Sequence, residues 1–155
     1  MKHPRSILIT GASSGIGAAL AREYAGPGVA LALAGRSLAR LDEVAADCRT
    51  AGAEVTVAVV DVTDGPAMAR WINRIDKAHP VELAIANAGI TGGIGPGRWR
   101  ESLDDMKRVI DVNLIGVLHT IDPLLDRMQA RGLGQIALMS SLAGLPAACW
   151  RYQLT

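Results

Sequence analysis

The run Thr10-Gly11-Ala12-Ser13-Ser14-Gly15-Ile16-Gly17 follows directly on the apolar triplet Ile7-Leu8-Ile9, and its glycine spacing suits one chemical task, holding a pyrophosphate. Glycines at 11, 15 and 17 lack a Cβ, so the backbone can turn tightly and a ligand can come close to it. The free N–H groups of a helix starting there would point at an anion, and the helix dipole favours negative charge at that end. Ordinary strand-to-helix turns share the glycines. The context here is the one the task requires: an apolar strand before them and an amphipathic segment (Ile16, Ala19, Leu20, Tyr24) after them. A second polar residue stands out further on. Asn113 lies among Val112, Leu114 and Ile115, where an amide is costly unless it is bonded. The pattern fits a structural amide bonding to nearby backbone and a functional one equally.

The elements that would position these residues follow from hydrophobic period. Short apolar runs rich in Val, Ile, Leu and Ala occur near 6–10, 29–34, 54–60, 81–86 and 134–140. Between them lie stretches with helical spacing. One carries Leu38, Leu41, Val44, Ala45 and Cys48, and another carries Met68, Trp71, Ile72 and Ile75; a long third runs from Met106 to Met128. Such alternation predicts parallel βαβ units with helices on both faces of an open sheet. Asp64 and Pro66 signal the start of one helix and Gly52 the end of another. Pro123, inside the long pattern, predicts a kink or a short break. The loop Thr91-Gly92-Gly93-Ile94-Gly95-Pro96-Gly97 precedes that pattern.

Composition narrows the class. At 155 residues the chain is of single-domain length; half is hydrophobic, yet it holds two Tyr, three Trp and no Phe, so its core must be built from Ala, Val, Leu and Ile. A net charge of +1, with both signs interspersed, gives no basic face for nucleic acid or an anionic membrane. No apolar run approaches the roughly 18 residues of a membrane span. The residues before the first strand are too few for a signal peptide. Cys48 and Cys149 have no recognisable pairing or metal-ligand spacing, so a reducing cytoplasm with free thiols and no metal site is expected.

Taken in order, the motifs resemble those of the short-chain dehydrogenase/reductase family over essentially the whole chain. Thr10–Gly17 matches that family's dinucleotide turn, which implies cofactor contacts at Gly11, Ser13, Ser14, Gly15, Ile16 and Gly17. Asp61-Val62, after the third strand, matches the place of an acidic residue near the adenine. Asn87-Ala88-Gly89, after the fourth, is similar to the motif that steadies the central sheet and borders the cofactor. Asn113-Leu114-Ile115-Gly116 resembles the helix motif whose Asn joins a proton relay. Ser140-Ser141-Leu142-Ala143-Gly144, after the fifth strand, looks like the catalytic serine segment with Ser141 in the active position. The resemblance implies an α/β fold, a doubly wound parallel sheet of Rossmann type with strand order 3-2-1-4-5. It also implies hydride transfer between a nicotinamide dinucleotide and a small carbonyl or secondary alcohol substrate. The second strand ends in Ala34-Gly35-Arg36-Ser37 rather than in the acidic residue of an NAD site, so NADP(H) is favoured over NAD(H). Arg36 can stack on adenine and pair with a phosphate through its planar fork, and Ser37 can add a hydroxyl. A solvated arginine at a helix start is the other reading.

In the family a tyrosine moves the proton, and a lysine four residues later lowers its pKa. Serine holds the substrate oxygen, and the Asn helps orient a water. Tyr152 lies eleven positions after Ser141 and is followed by Gln153, Leu154 and Thr155. It is either the family tyrosine after a short deletion or an unrelated tyrosine in a shifted reading frame. The lysine position and the family's carboxyl-terminal strands fall outside the sequence, so residues 1–155 are expected to form one dinucleotide-binding domain, incomplete at its carboxyl end. An exposed edge at 134–140 and an uncovered flank of the long helix should then make the chain aggregation-prone, although full-length relatives are expected to be homo-oligomers. The competing reading is a truncated, non-catalytic dinucleotide-binding fragment or pseudoenzyme.

Overall fold

The structure, a computed structural model, describes residues 3–93 and 99–140. The five apolar runs form strands β1 (Ser6–Thr10), β2 (Ala30–Gly35), β3 (Glu54–Val59), β4 (Leu83–Ala86) and β5 (Gln135–Leu138). All pair in parallel, in the order β3-β2-β1-β4-β5. Helices α1 (Gly15–Tyr24), α2 (Leu38–Thr50), α3 (Gly65–Ala78), α4 (Leu103–Ile110) and α5 (Gly116–Arg131) connect them, and a π-helical turn, Asp111–Ile115, joins α4 to α5. The doubly wound parallel sheet and its strand order are those the sequence predicts. Asp64 caps α3 by accepting from the Ala67 N–H at 3.0 Å, and Gly52, at φ +95°, follows the end of α2.

Strand period 2 sorts the core into two layers with opposite size order. On the α1/α2 face the strands supply large side chains (Ile7, Ile9, Leu31, Leu33, Leu83, Ile85), and α1 meets them with Ala18 and Ala21. On the α3/α5 face the strands are mostly small (Ala32, Ala34, Ala84), and the helices supply Met68, Trp71, Ile72, Leu124 and Met128. Where α1 meets the sheet and on the α3/α5 face, large against small fills space without phenylalanine, while α2 adds Leu41 and Val44 to the first layer. The small face of α1 corrects one expectation. Ile16 is 61% exposed and Ala19 is exposed, whereas Gly17, Ala18 and Ala21 are buried. Leu38, at the first position of α2, is likewise exposed rather than part of that helix's buried stripe.

At the far end of the sheet from the site described below, the buried Asp76 carboxylate accepts the Val81 N–H at 2.8 Å and pairs with Arg131 at 2.9 Å and Arg127 at 3.4 Å. It ties the end of α3 to the start of β4 and the end of α5.

The long helical pattern is interrupted, but not at Pro123. Helix α5 runs unbroken through that residue, and the irregularity is the π turn further upstream. Thr120, Leu124 and Met128 are buried on the α3/α5 face, and that packing holds the helix despite the N–H that proline lacks. Pro123→Ala restores a donor for the His119 carbonyl, so it is expected to stabilise the fold by about 1–3 kcal/mol, read from the urea midpoint. The opposite side of α4, the π turn and α5 leaves Leu103, Met106, Ile110, Leu114, Leu118 and Leu125 exposed.

Candidate functional site

Parallel strands deliver their following loops to one edge of the sheet, and β1, between β2 and β4, is where successive connections switch sides. The loops after β1 and β4 are latched there. Thr10, fully buried, accepts through its hydroxyl from the Asn87 N–H at 3.1 Å and the Ala88 N–H at 3.2 Å. The Asn87 side-chain amide donates back to the carbonyls of Thr10 at 3.0 Å and Gly11 at 3.3 Å. Two of the three glycines answer to this latch. A Cβ on Gly11 would stand 2.8 Å from Ala88 Cα, and one on Gly17 would stand 2.5 Å from Asn87 Nδ2 and collide with the Gly11 carbonyl. Gly15 differs: its φ is +55°, and nothing lies within 4 Å of the place a Cβ would take.

Two of the helix starts at this edge are built unlike the others. Asp64 and Ser102 turn their side chains onto their own helices, α3 and α4, as serine and aspartate do at most N-caps. Ser14 and Ser37 hold the same position on α1 and α2, yet neither makes a side-chain capping bond. Both serines line one cavity of about 380 Å³, together with Gly11, Ser13, Arg36 and Arg40. Two uncapped helix N-termini and two guanidinium groups thus converge on one space. That combination can hold two anionic groups. Among the described residues no carboxylate forms an ion pair with Arg36 or Arg40.

Asp61 borders the same cavity. Its Oδ1 accepts from the Thr63 N–H at 2.9 Å and the Thr63 hydroxyl at 2.8 Å. The Thr63 backbone bond, opposed by partial burial and helped by the hydroxyl and the Arg36 charge, holds its carboxyl below the ordinary carboxylate value. A depressed folded-state pKa adds stability above the unfolded value that is lost as pH falls through the folded one. Asp61→Asn is therefore expected to remove part of the acid limb of a stability-against-pH curve, below the usual 3.8, and to leave the neutral region nearly flat.

A larger cavity of about 1250 Å³ continues from the first along the loops after β4 and β5, lined by Ile16, Ile90, Asp111, Asn113, Met139 and Ser140 among others. Its wall is set by Asn113, in the π turn. Oδ1 accepts the Ile90 N–H at 2.8 Å, and Nδ2 donates to the Ile90 carbonyl at 2.9 Å. The amide left open by the sequence thus clasps one residue's backbone at both ends. Nearby, Gly116 lets α5 approach closely, since a Cβ there would meet Val62 Cγ2 at 2.6 Å.

Of the residues singled out in the sequence, Gly11, Ser13, Ser14, Ile16, Arg36, Asp61, Val62, Asn87, Ala88 and Gly89 line the first cavity, Asn113 lines the second, and Gly15 and Gly17 shape the turn without lining either. Ser141 and Tyr152 lie outside the described residues. Sequence reasoning missed Arg40, although its place three residues after Ser37, in the first turn of the helix that follows, was a signal that it stands near Arg36. It also missed the Thr10 hydroxyl, whose signal is a polar β-branched residue closing an apolar strand.

Comparison with known proteins agrees with this geometry. The family model for short chain dehydrogenases matches residues 5–151. An uncharacterised oxidoreductase of Mycobacterium tuberculosis is 37% identical over 147 residues, covering 91% of this chain and 56% of the relative. The crystal structure of an NAD+-bound xylitol dehydrogenase superposes with a TM-score of 0.84 at 29% identity, covering 93% of this chain and 56% of that one. A metagenomic short-chain oxidoreductase in complex with NADP gives 0.82 at 30% identity, covering 90% and 63%. The chain spans a little over half the length of such relatives. With the family model matching nearly every residue and the sheet order, glycine turn and Asn113 clasp in place, the chain belongs to the short chain dehydrogenase family.

Proposed function

We propose that this chain forms the NADP(H)-binding part of an oxidoreductase that transfers hydride between the nicotinamide and a small carbonyl or secondary alcohol. The observation that carries the reading is the pair of uncapped helix N-termini, at Ser14 and Ser37, opening on one cavity beside Arg36 and Arg40. Uncapped N–H groups left at a helix start cost stability unless water or a ligand satisfies them, and an anion suits the dipole best. The α1 terminus would take the pyrophosphate, with Gly15 giving the open approach. The α2 terminus, Ser37 and the two arginines would take the ribose 2′-phosphate, a dianion that an NAD site repels. Asp61, held ionised, would accept from the adenine amine, and Val62 would line the ring.

When bound, the dinucleotide supplies or accepts the hydride; the chain's own residues orient and hold protons. Asn87 fixes the turn beneath the pyrophosphate, and Asn113 fixes Ile90 at the wall of the larger cavity. Because both ends of the Asn113 side chain are engaged, what the residue offers a water is main chain. A π turn shifts its hydrogen bonds to i→i+5 and spares a carbonyl for that use. Ser141 is assigned to hold the substrate oxygen, and Tyr152 to move the proton. The whole of residues 1–155 would act as one dinucleotide-binding domain. Titration of the chain's tryptophan fluorescence with NADP+ and NAD+ tests the proposal. Saturable binding with NADP+ at least tenfold tighter is expected, and equal affinities would overturn the cofactor assignment. NADPH oxidation with a panel of ketones then separates an oxidoreductase from a non-catalytic binding module.

A further inference from the structure

We propose that the free edge of β3, with the Arg70 and Arg74 side of α3, takes up an extended acidic peptide segment as an added strand. Among the described residues, strand β3 pairs only with β2. The Glu54 N–H reaches the Val29 carbonyl at 2.9 Å, and the Val60 N–H reaches the Gly35 carbonyl at 3.0 Å. Backbone groups alternate along a strand, so those of Val55, Val57 and Val59 face away from the sheet. The Arg49 side chain already donates to the Val55 carbonyl at 2.9 Å. Val57 and Val59 are left with outward N–H and C=O groups in a Val-Thr-Val-Ala-Val run.

Natural edges of this kind are blunted by lysine, proline or a bulge, and this run has none of the three. Val59 is 56% exposed. Beside the edge lies a groove of about 500 Å³ lined by Val57, Ala58, Val59, Arg70, Trp71 and Arg74. Helical spacing puts Lys77 on the same side as the two arginines. Among the described residues, no ion pair engages Arg70, Arg74 or Lys77.

The two features choose the occupant. A row of unpaired backbone donors and acceptors asks for another extended backbone, which is the strand-addition mode of peptide recognition. Side chains of an added strand would alternate between the α3 face, under the arginines, and the α2 face, beside Val57 and Val59. The fitting sequence therefore alternates acidic and apolar residues. A second copy of this chain fits less well, because pairing β3 with β3 brings two basic rims together. Of the residues lining the groove, Val60 alone also lines the smaller cleft cavity; Val57, Val59, Arg70 and Arg74, which carry the proposal, line neither cavity, so it stands apart from the nucleotide reading.

The test is fluorescence anisotropy of a labelled eight-residue peptide alternating Glu and Val, titrated with the full chain. Saturation below about 1 mM is expected, with no binding of the matching Lys-Val peptide. Arg70→Glu with Arg74→Glu should weaken binding about tenfold or more. Val59→Pro removes only an outward N–H, a place where edge strands tolerate proline, and should weaken it similarly with the circular dichroism spectrum unchanged. Should Val59→Pro disturb the fold, the double arginine variant decides alone. The proposal is overturned by an absence of saturation, or by binding that survives the double variant. A folded Val59→Pro chain that binds the peptide as before would show a mere charge site. Displacement of the peptide by a single-stranded oligonucleotide that binds Val59→Pro equally well would move the partner to nucleic acid. Sedimentation showing a β3-dependent dimer without peptide binding would make the occupant a second copy.

Discussion

Arg36→Asp is expected to lower affinity for NADP+ about a hundredfold and to raise affinity for NAD+ several-fold. The guanidinium lines the cavity at the start of α2, and a hydrogen bond to a charged group contributes about 1.5–3 kcal/mol, or one to two powers of ten. Replacing it with a carboxylate adds repulsion to that loss and offers the ribose hydroxyls an acceptor. Arg40→Ala should cost NADP+ about tenfold and leave NAD+ unchanged, because in the proposed pose only the 2′-phosphate comes within reach of the first turn of α2, where Arg40 lies. Isothermal titration of both nucleotides against both variants reads these effects. An unaltered NADP+ preference in Arg36→Asp would sink the assignment of the 2′-phosphate to this end of the cleft.

The second large effect concerns folding. Gly17→Ala should destabilise the chain by about 3 kcal/mol, even though alanine is the better helix former. Its Cβ would meet the Asn87 amide and the Gly11 carbonyl, and both belong to the latch between β1 and β4. Gly15→Ala supplies the contrast. No atom stands in its way, and the cost is about 1–2 kcal/mol for the positive φ alone. Urea midpoints separate the pair. A loss at Gly17 no larger than that at Gly15 would mean that the latch gives way to a methyl group and does not dictate this glycine.

These expectations show where the chain's design is written in residue types and where it arises only on assembly. Parallel strands were legible because β1 and β4 are buried on both faces and so read as unbroken apolar runs. The glycine turn was legible because it follows directly on such a run, whereas the latch made by the Thr10 hydroxyl was not. The π turn was not, since Asp111–Ile115 keeps the apolar spacing of the helices beside it. Its extra residue goes with a contact to Ile90, twenty-three positions away. Pro123 misled because the local rule prices one lost hydrogen bond and cannot weigh Leu124 and Met128 against it. Ser14 and Ser37 were read as groups facing the cofactor, and only their geometry shows that they leave their helices uncapped. Arg40 belongs to the site through its height on α2, which periodicity alone leaves unspecified.

The small face of α1 bears on the rate of ligand capture as well as on the filling of the core. Gly17, Ala18 and Ala21 let that helix settle close to the large strand residues, and the latch through Asn87 fixes its first turn at the ends of β1 and β4. The amides proposed to take the pyrophosphate are therefore held in position by core methyl groups without a nucleotide. A site assembled in this way has no ordering step to wait for. Encounter at its mouth should be paced by diffusion and by the field of the two arginines, and so should slow as ionic strength rises.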